Sequence, residues 1–151
     1  MSARLALCFF AALAALAGRH MPACAQQPPS EAKLGAKMPN FTFKDDRGKA
    51  YRLYELENQK AIVIVFLSFE CPVSRSYSEP LSEIAKEFGK FGVTIWGLTT
   101  NEDETPAQIA KAAQQFELAF PVFKDERFRA AKALMADFTP EVFVLDGNFV
   151  L

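Results

Sequence analysis

Ala61-Ile-Val-Ile-Val-Phe-Leu-Ser-Phe-Glu-Cys-Pro-Val-Ser-Arg-Ser-Tyr77 is the stretch from which the fold is read. Its opening run, Ala61 to Leu67, is wholly apolar and rich in β-branched residues. A run that short makes no helix of its own and reads as a strand buried on both faces, the kind that sits centrally in a parallel sheet. The period then changes, because Tyr77, Leu81, Ile84, Ala85 and Phe88 fall on one helical face, so the chain enters a helix within a few residues of Cys71. This predicts Cys71 at a helix N-terminus, where free backbone N–H groups and the positive end of the helix dipole favour a thiolate. Pro72 suits the first helical turn, where its missing N–H has no partner to lose.

Upstream, Met1-Ser-Ala-Arg4 is a short basic start, Leu5 to Ala17 an unbroken apolar run, and Ala23-Cys-Ala25 a small-residue cleavage box. Together they predict a secretory signal peptide over residues 1–25, and hence an exported protein, periplasmic or extracellular. The apolar run is too short for a permanent span and nothing later is apolar for long enough, so no integral membrane span is expected after signal removal. A lipoprotein signal with a lipidated Cys24 is the alternative, and Pro22 fits its box poorly. Cleavage after Ala25 removes Arg4 and Arg19 and no acid, so 17 basic residues against 18 acidic become 15 against 18, a net charge of −3. Nucleic acid is not an expected partner, since it calls for a clustered basic surface. Cleavage also removes His20, the sole histidine, together with Cys8 and Cys24. A mature chain with one cysteine and no histidine cannot build a Cys/His metal site, a Cys–His protease or an internal disulfide. No cofactor is called for.

Residues 26–37 are polar, carry two prolines and show no periodicity, which predicts a flexible linker, with one domain over 38–151. Phe41-Thr-Phe43, a turn at Asp46-Arg47-Gly48, and Tyr51 and Leu53 describe an N-terminal β-hairpin. After the central strand and its helix, Pro80 is expected to kink that helix and Gly89 to cap it. Val93 to Thr99 reads as a second core strand. Thr105, Pro106 and Gln108 open a helix with a capping box, Ile109, Ala112, Ala113 and Phe116 forming its buried face. Phe120-Pro-Val-Phe123 is a short extended piece, and Asp125 caps a helix turning Phe128, Ala131, Leu134 and Met135 inward. Thr139-Pro140 and the strand Val142 to Leu145 follow. A hairpin and then alternating strands and helices make an α/β domain, a central mixed sheet with helices on both faces.

Met38-Pro-Asn-Phe-Thr-Phe, the turn at Gly48, the strand leading to Glu70-Cys71-Pro72-Val73-Ser74, and Thr139-Pro140-Glu-Val-Phe-Val-Leu-Asp146 together resemble the thioredoxin-like fold. More narrowly they are similar to the alkyl hydroperoxide reductase/thiol-specific antioxidant, or redoxin, family, peroxiredoxin-like proteins included. The resemblance implies a cis peptide bond before Pro140, beside the reactive cysteine, with the Thr139 backbone and Pro72 helping to position substrate. It also implies an incomplete chain, because this fold usually adds a strand and a helix after the position of Leu151. Two departures matter. The second cysteine of thioredoxins is replaced by Ser74, so a mixed disulfide at Cys71 waits for an outside thiol. The proline and threonine that peroxiredoxins place before their cysteine are replaced by Ile64 and Ser68, of which only Ser68 keeps a hydroxyl for a peroxide oxygen. Arg75, Arg127 and Arg129 are candidates for the arginine that such sites bring to the thiolate. Glu70, next to Cys71, is expected to oppose ionisation wherever its carboxylate nears the sulfur.

These readings converge on a thiol-dependent oxidoreductase with Cys71 as its single nucleophile and Ser68, Ser74 and Arg75 around it. Its partners are an external thiol reductant or a protein disulfide, with peroxide as a further substrate. A redox-inactive binding module holding extended peptides near Pro140, and the N-terminal part of a larger redox protein, are the competing readings. The expected mature N-terminus is Gln26. Mass spectrometry of the secreted protein checks this, and a retained Met1 or a diacylglyceryl Cys24 refutes it.

Overall fold

The computed structural model describes residues 34–151, so the signal-peptide reading lies outside the described residues. Strands β1 (Thr42–Lys44) and β2 (Ala50–Arg52) pair antiparallel as the expected hairpin. Asp45 holds its turn: one carboxylate oxygen accepts from the N–H groups of Arg47 and Lys49 at 3.0 and 2.8 Å, and Gly48 supplies the left-handed residue with φ +79°. A four-stranded sheet follows, built from β3 (Ala61–Phe66), β4 (Val93–Thr99), β5 (Val122–Lys124) and β6 (Glu141–Asp146) in the order β5-β4-β3-β6. The pairs β3–β4 and β4–β5 are parallel and β3–β6 is antiparallel, so the sheet is mixed and β3 is internal to it.

Alternation along these strands divides the core. Ile62, Ile64, Phe66, Trp96, Leu98, Phe143 and Leu145 join the hairpin residues Phe41 and Phe43 on one face. Phe43, Trp96 and Phe123 pack mutually there, with centroids 5.4 to 5.9 Å apart. Val65, Leu67, Ile95 and Phe120 form a smaller cluster on the other face. Packing therefore accounts for most of the phenylalanines in the described residues.

The helices are α1 (Pro72–Ser76), α2 (Ser78–Gly89), α3 (Pro106–Gln115) and α4 (Arg129–Leu134). Leu81 and Ala85 of α2 pack against the smaller cluster, and Ala130, Ala131 and Leu134 of α4 against the larger, so both sheet faces carry helix. The capping box on α3 forms as read, with Thr105 Oγ1 accepting from Gln108 N and Pro106 at the first helical position. Asp125 is buried and accepts from Ala130 N and Ala131 N at 3.0 and 2.8 Å, fixing the start of α4.

Four local expectations are corrected. Pro80 does not kink one helix but divides two: its ring nitrogen has no proton for the Ser76 carbonyl one turn back, and the break falls at Tyr77, between α1 and α2. The left-handed glycine beyond α2 is Gly92 (φ +84°), whose N–H donates to Gly89 O, while Gly89 itself ends the helix. Met135 is exposed because it takes the left-handed position that terminates α4. Tyr77, Ile84 and Phe88 are exposed as well, since α2 lies over β4 and leaves its far flank uncovered. Lys37, at the end of the stretch read as a linker, bridges Val150, and Gly35 N donates to Leu151 O at 2.7 Å.

Gly97 in β4 is wedged between side chains: a Cβ there would stand 2.9 Å from Val122 Cγ2 and 3.2 Å from both Leu67 Cδ2 and Phe120 Cε2. Gly97→Ala is expected to lower unfolding stability by about 1–3 kcal/mol. A denaturation midpoint equal to that of the parent protein would refute the close-packing account.

Candidate active site

Strand β3 carries the chain to one end of the sheet, where Leu67 N still donates to Leu98 O at 2.9 Å. The turn beyond it is closed by Cys71 N donating to Ser68 O at 3.2 Å. Cys71 is the N-cap of α1 with an extended backbone (φ −81°, ψ 117°), and Pro72 occupies the first turn. The expected helix N-terminus is present, but α1 has five residues, too few for a long macrodipole. Local donors act instead. The Ser74 backbone N–H, chiefly, holds the Cys71 thiol below its ordinary pKa, against partial burial that pushes it up; the Ser74 hydroxyl, the Val73 N–H and the Arg75 charge add to the lowering.

Ser74 is the one buried residue of α1. Its Oγ accepts from Ser68 N at 3.2 Å. That bond uses a lone pair and leaves the hydroxyl proton for the sulfur. Ser68 Oγ accepts from Glu70 N at 3.3 Å, so Ser68 is tied into the turn at both its N–H and its oxygen. Glu70 is exposed.

Across from α1, the Thr139–Pro140 peptide is cis, and Cys71 Sγ lies 3.8 Å from Thr139 O, donating its S–H when protonated. Glu141 Oε2 accepts from Asp137 N at 2.9 Å and Phe138 N at 3.5 Å, which steadies the loop ahead of Thr139. The fold thus gathers Ser68, Cys71, Pro72, Ser74, Arg75, Thr139 and Pro140 at one end of β3 and β6. Of the three candidate arginines, Arg75 is the one whose charge acts on Cys71. Arg129 instead donates from Nη2 to Thr42 O on the hairpin at 3.1 Å, and Arg127 is exposed on a left-handed residue with φ 61°. Ile64, standing where peroxiredoxins carry a proline, is fully buried in the core.

Sequence reasoning missed one part of the site. An apolar recess of about 470 Å³, lined by Val65, Val73, Tyr77, Leu81, Phe138 and Val142, opens against Thr139 and Pro140. Its residues come from β3, α1, α2, the loop before Pro140, and β6, so no local motif announces it.

A thioredoxin-like sheet with one half-exposed thiol facing a cis proline defines the class of protein. Within that class the AhpC/TSA family profile matches residues 34–151, and the chain belongs to that family. It is 26% identical over 115 residues to the thiol-disulfide oxidoreductase ResA of Geobacillus thermodenitrificans, covering 76% of this chain and 64% of that protein. It is 24% identical over 148 residues to the chloroplastic peroxiredoxin Q of Oryza sativa subsp. japonica, covering 93% of this chain and 64% of that protein. The chain therefore spans 64% of the length of these curated relatives. The thioredoxin domain of the thiol-disulfide oxidoreductase BVU-2223 from Bacteroides vulgatus shares the fold, with TM-score 0.68 at 18% identity over 78% of this chain and 84% of that one. Among the described residues no helix is long and apolar enough to cross a membrane.

The pH profile of Cys71 alkylation by iodoacetamide is expected to have its midpoint below that of an ordinary thiol, because donors to the sulfur favour the anion. Ser74→Ala should move the midpoint up. Arg75→Gln should move it less and in a salt-sensitive way, since that residue is exposed and acts through charge alone. An ordinary midpoint in the parent, or no labelling of the folded protein, makes Cys71 an inert thiol.

Proposed function

We propose that the chain is an exported thiol-dependent oxidoreductase in which Cys71 is the sole nucleophile, exchanging with protein disulfides and relying on an external thiol for release. The observation that carries this reading is the donor set around Cys71: the Ser74 N–H and hydroxyl and the Val73 N–H favour the thiolate, while the sulfur stays partly open to solvent. In the first step the Cys71 thiolate attacks one sulfur of a substrate disulfide. A new S–S bond forms, the old one breaks, and the departing sulfur leaves as a thiolate with the electron pair. An external thiolate then attacks the substrate sulfur of the mixed disulfide: a disulfide between the substrate and the external thiol forms, the bond to Cys71 breaks, and Cys71 leaves as the thiolate with the electron pair. Ser74 occupies the place of a resolving cysteine, so that position offers this second step no intramolecular route.

Peroxide reduction is the second reading, supported by membership of the AhpC/TSA family and by the Ser68 hydroxyl beside the thiol turn. Fast peroxide chemistry needs fixed donors that stabilise the departing oxygen. Ser68 and Arg75 are the residues available for that. The two substrates share one nucleophile and one need for an outside reductant.

One equivalent of hydrogen peroxide is expected to convert Cys71 to a sulfenic acid that dimedone traps and that persists until a thiol is added. Ser74→Cys is expected to shorten that lifetime by forming an intramolecular disulfide. If Cys71 reacts no faster than free cysteine and forms no mixed disulfide with protein thiols, the oxidoreductase reading falls and a peptide-binding module replaces it.

A further inference from the structure

We infer that Phe116 is a positioning residue for Cys71: its ring, stacked on Phe69, clamps the turn that carries the thiol and keeps Ser68 and Ser74 in place beside the sulfur. This rests on the reading of Cys71 as a nucleophile and adds to it a residue distant in sequence. Two independent features carry it: a turn that is bonded mainly to itself, and a rigid base on α2 and α3 that its one aromatic side chain meets.

Beyond Leu67 the chain leaves the sheet. Cys71 N donates to Ser68 O at 3.2 Å, Glu70 N to Ser68 Oγ at 3.3 Å and Ser68 N to Ser74 Oγ at 3.2 Å. Such bonds shape the turn without fixing where it stands against the sheet. Glu70 is exposed and anchors nothing. Phe69 is half-buried, rests on the smaller core cluster and stacks on Phe116, with ring centroids 5.7 Å apart and planes 7° from parallel. Phe69 is thus the side chain that fixes the turn to the rest of the fold.

The other half of the stack is held firmly. Phe116 ends α3, and its N–H donates to Ala112 O at 3.0 Å. Glu117 then takes a left-handed φ of 51°, and Leu118 N turns back to donate to Ala113 O at 3.0 Å. Ser82 of α2 is 4% exposed and ties this segment down from behind: its hydroxyl donates to Glu117 O at 3.4 Å and accepts from Ala119 N at 3.1 Å. Leu118 also abuts the thiol turn, lining with Ser68, Ser74 and Arg75 a void of about 10 Å³, which leaves little slack beneath Ser74.

Simple core packing is the competing account, and the place of Phe116 argues against it. Phe116 is half-buried and belongs to neither core cluster. Its aromatic partner among the described residues is Phe69. Its share in the stability of the whole fold is therefore small beside its hold on the turn. The path runs from ring to ring, then along the backbone to the Ser68 N–H that Ser74 Oγ accepts, and that bond leaves the Ser74 hydroxyl proton aimed at the sulfur.

The test follows the pH profile of Cys71 alkylation by iodoacetamide in the full chain. Phe116→Ala is expected to raise the midpoint, because a freed turn no longer holds the Ser74 hydroxyl to the anion. It should also speed amide hydrogen exchange at Ser68 and Cys71 by roughly 2- to 12-fold, as loss of one aromatic contact gives. Phe116→Tyr keeps the stack and should leave both readouts as in the parent protein. In a Ser74→Ala background Phe116→Ala should leave the midpoint where Ser74→Ala alone puts it, since the path ends at that hydroxyl. Ser82→Ala loosens the same base by a smaller change, and its own upward shift decides the matter if Phe116→Ala does not fold. Phe88→Ala removes a ring at the far end of α2 and should move neither readout. A midpoint unmoved in the folded variants of Phe116 and Ser82, an equal shift in Phe88→Ala, or full additivity with Ser74→Ala overturns the inference while leaving Cys71 a nucleophile. An ordinary midpoint in the parent protein removes the activated thiol itself, and this inference with it.

Discussion

The arrangement depends on one register, the antiparallel pairing of β3 with β6. Phe66 at the end of β3 stands opposite Glu141 at the start of β6. The residues that follow Phe66 and those that precede Glu141 must therefore emerge side by side. Those residues are the Cys71 turn and the Thr139–Pro140 segment, far apart in sequence. A slip by one residue would turn Ile62, Ile64 and Phe66 to the wrong face, out of the cluster shared with Phe143 and Leu145. Core packing thus enforces the site geometry. The 3.8 Å approach of Cys71 Sγ to Thr139 O is a by-product of burying five large side chains.

The chemistry available at that point is bounded by how a thiolate behaves. Near pKa 8.5 a thiol is about 3% ionised at pH 7, and a fall of two units would raise the thiolate population by roughly 25-fold. The same fall weakens each thiolate by about 6- to 10-fold at a Brønsted slope near 0.4–0.5, leaving a net gain of about threefold. Donors at the sulfur therefore do little for attack by themselves. Their larger effect is on departure, because a sulfur stabilised as an anion leaves a mixed disulfide more readily when an external thiol arrives. Ser74 contributes to that stabilisation through its N–H and hydroxyl, which favour the Cys71 anion, and it carries no thiol of its own.

Much of this was legible in the sequence where the cause is local. The apolar run at Ala61, the capping box at Thr105 and Gln108 and the turn before Gly48 each carry their own instruction in a few consecutive residues. The cis bond at Pro140 was legible only through family resemblance. Illegible features depended on distant partners. Tyr77, Ile84 and Phe88 keep helical spacing, which signals a buried stripe, yet spacing cannot say whether anything lies opposite the stripe. Arg75, Arg127 and Arg129 were equivalent by type and separate only once the fold carries Arg129 to the hairpin. Pro80 could be read as a disturbance, but its break fell at Tyr77 because the lost hydrogen bond belongs to the preceding turn.

The two faces of the sheet divide the labour of stability and function. One face holds the tightly packed aromatic group of Phe43, Trp96 and Phe123 with the Phe66–Phe143 edge contact, closed by the hairpin and α4. Each such ring contributes on the order of a few kcal/mol when buried. The other face has the small cluster around Val65 and Ile95, and its β6 flank carries exposed valines. Among the described residues the larger share of buried apolar surface therefore lies on the first face, which is where most of the stability of this sheet comes from.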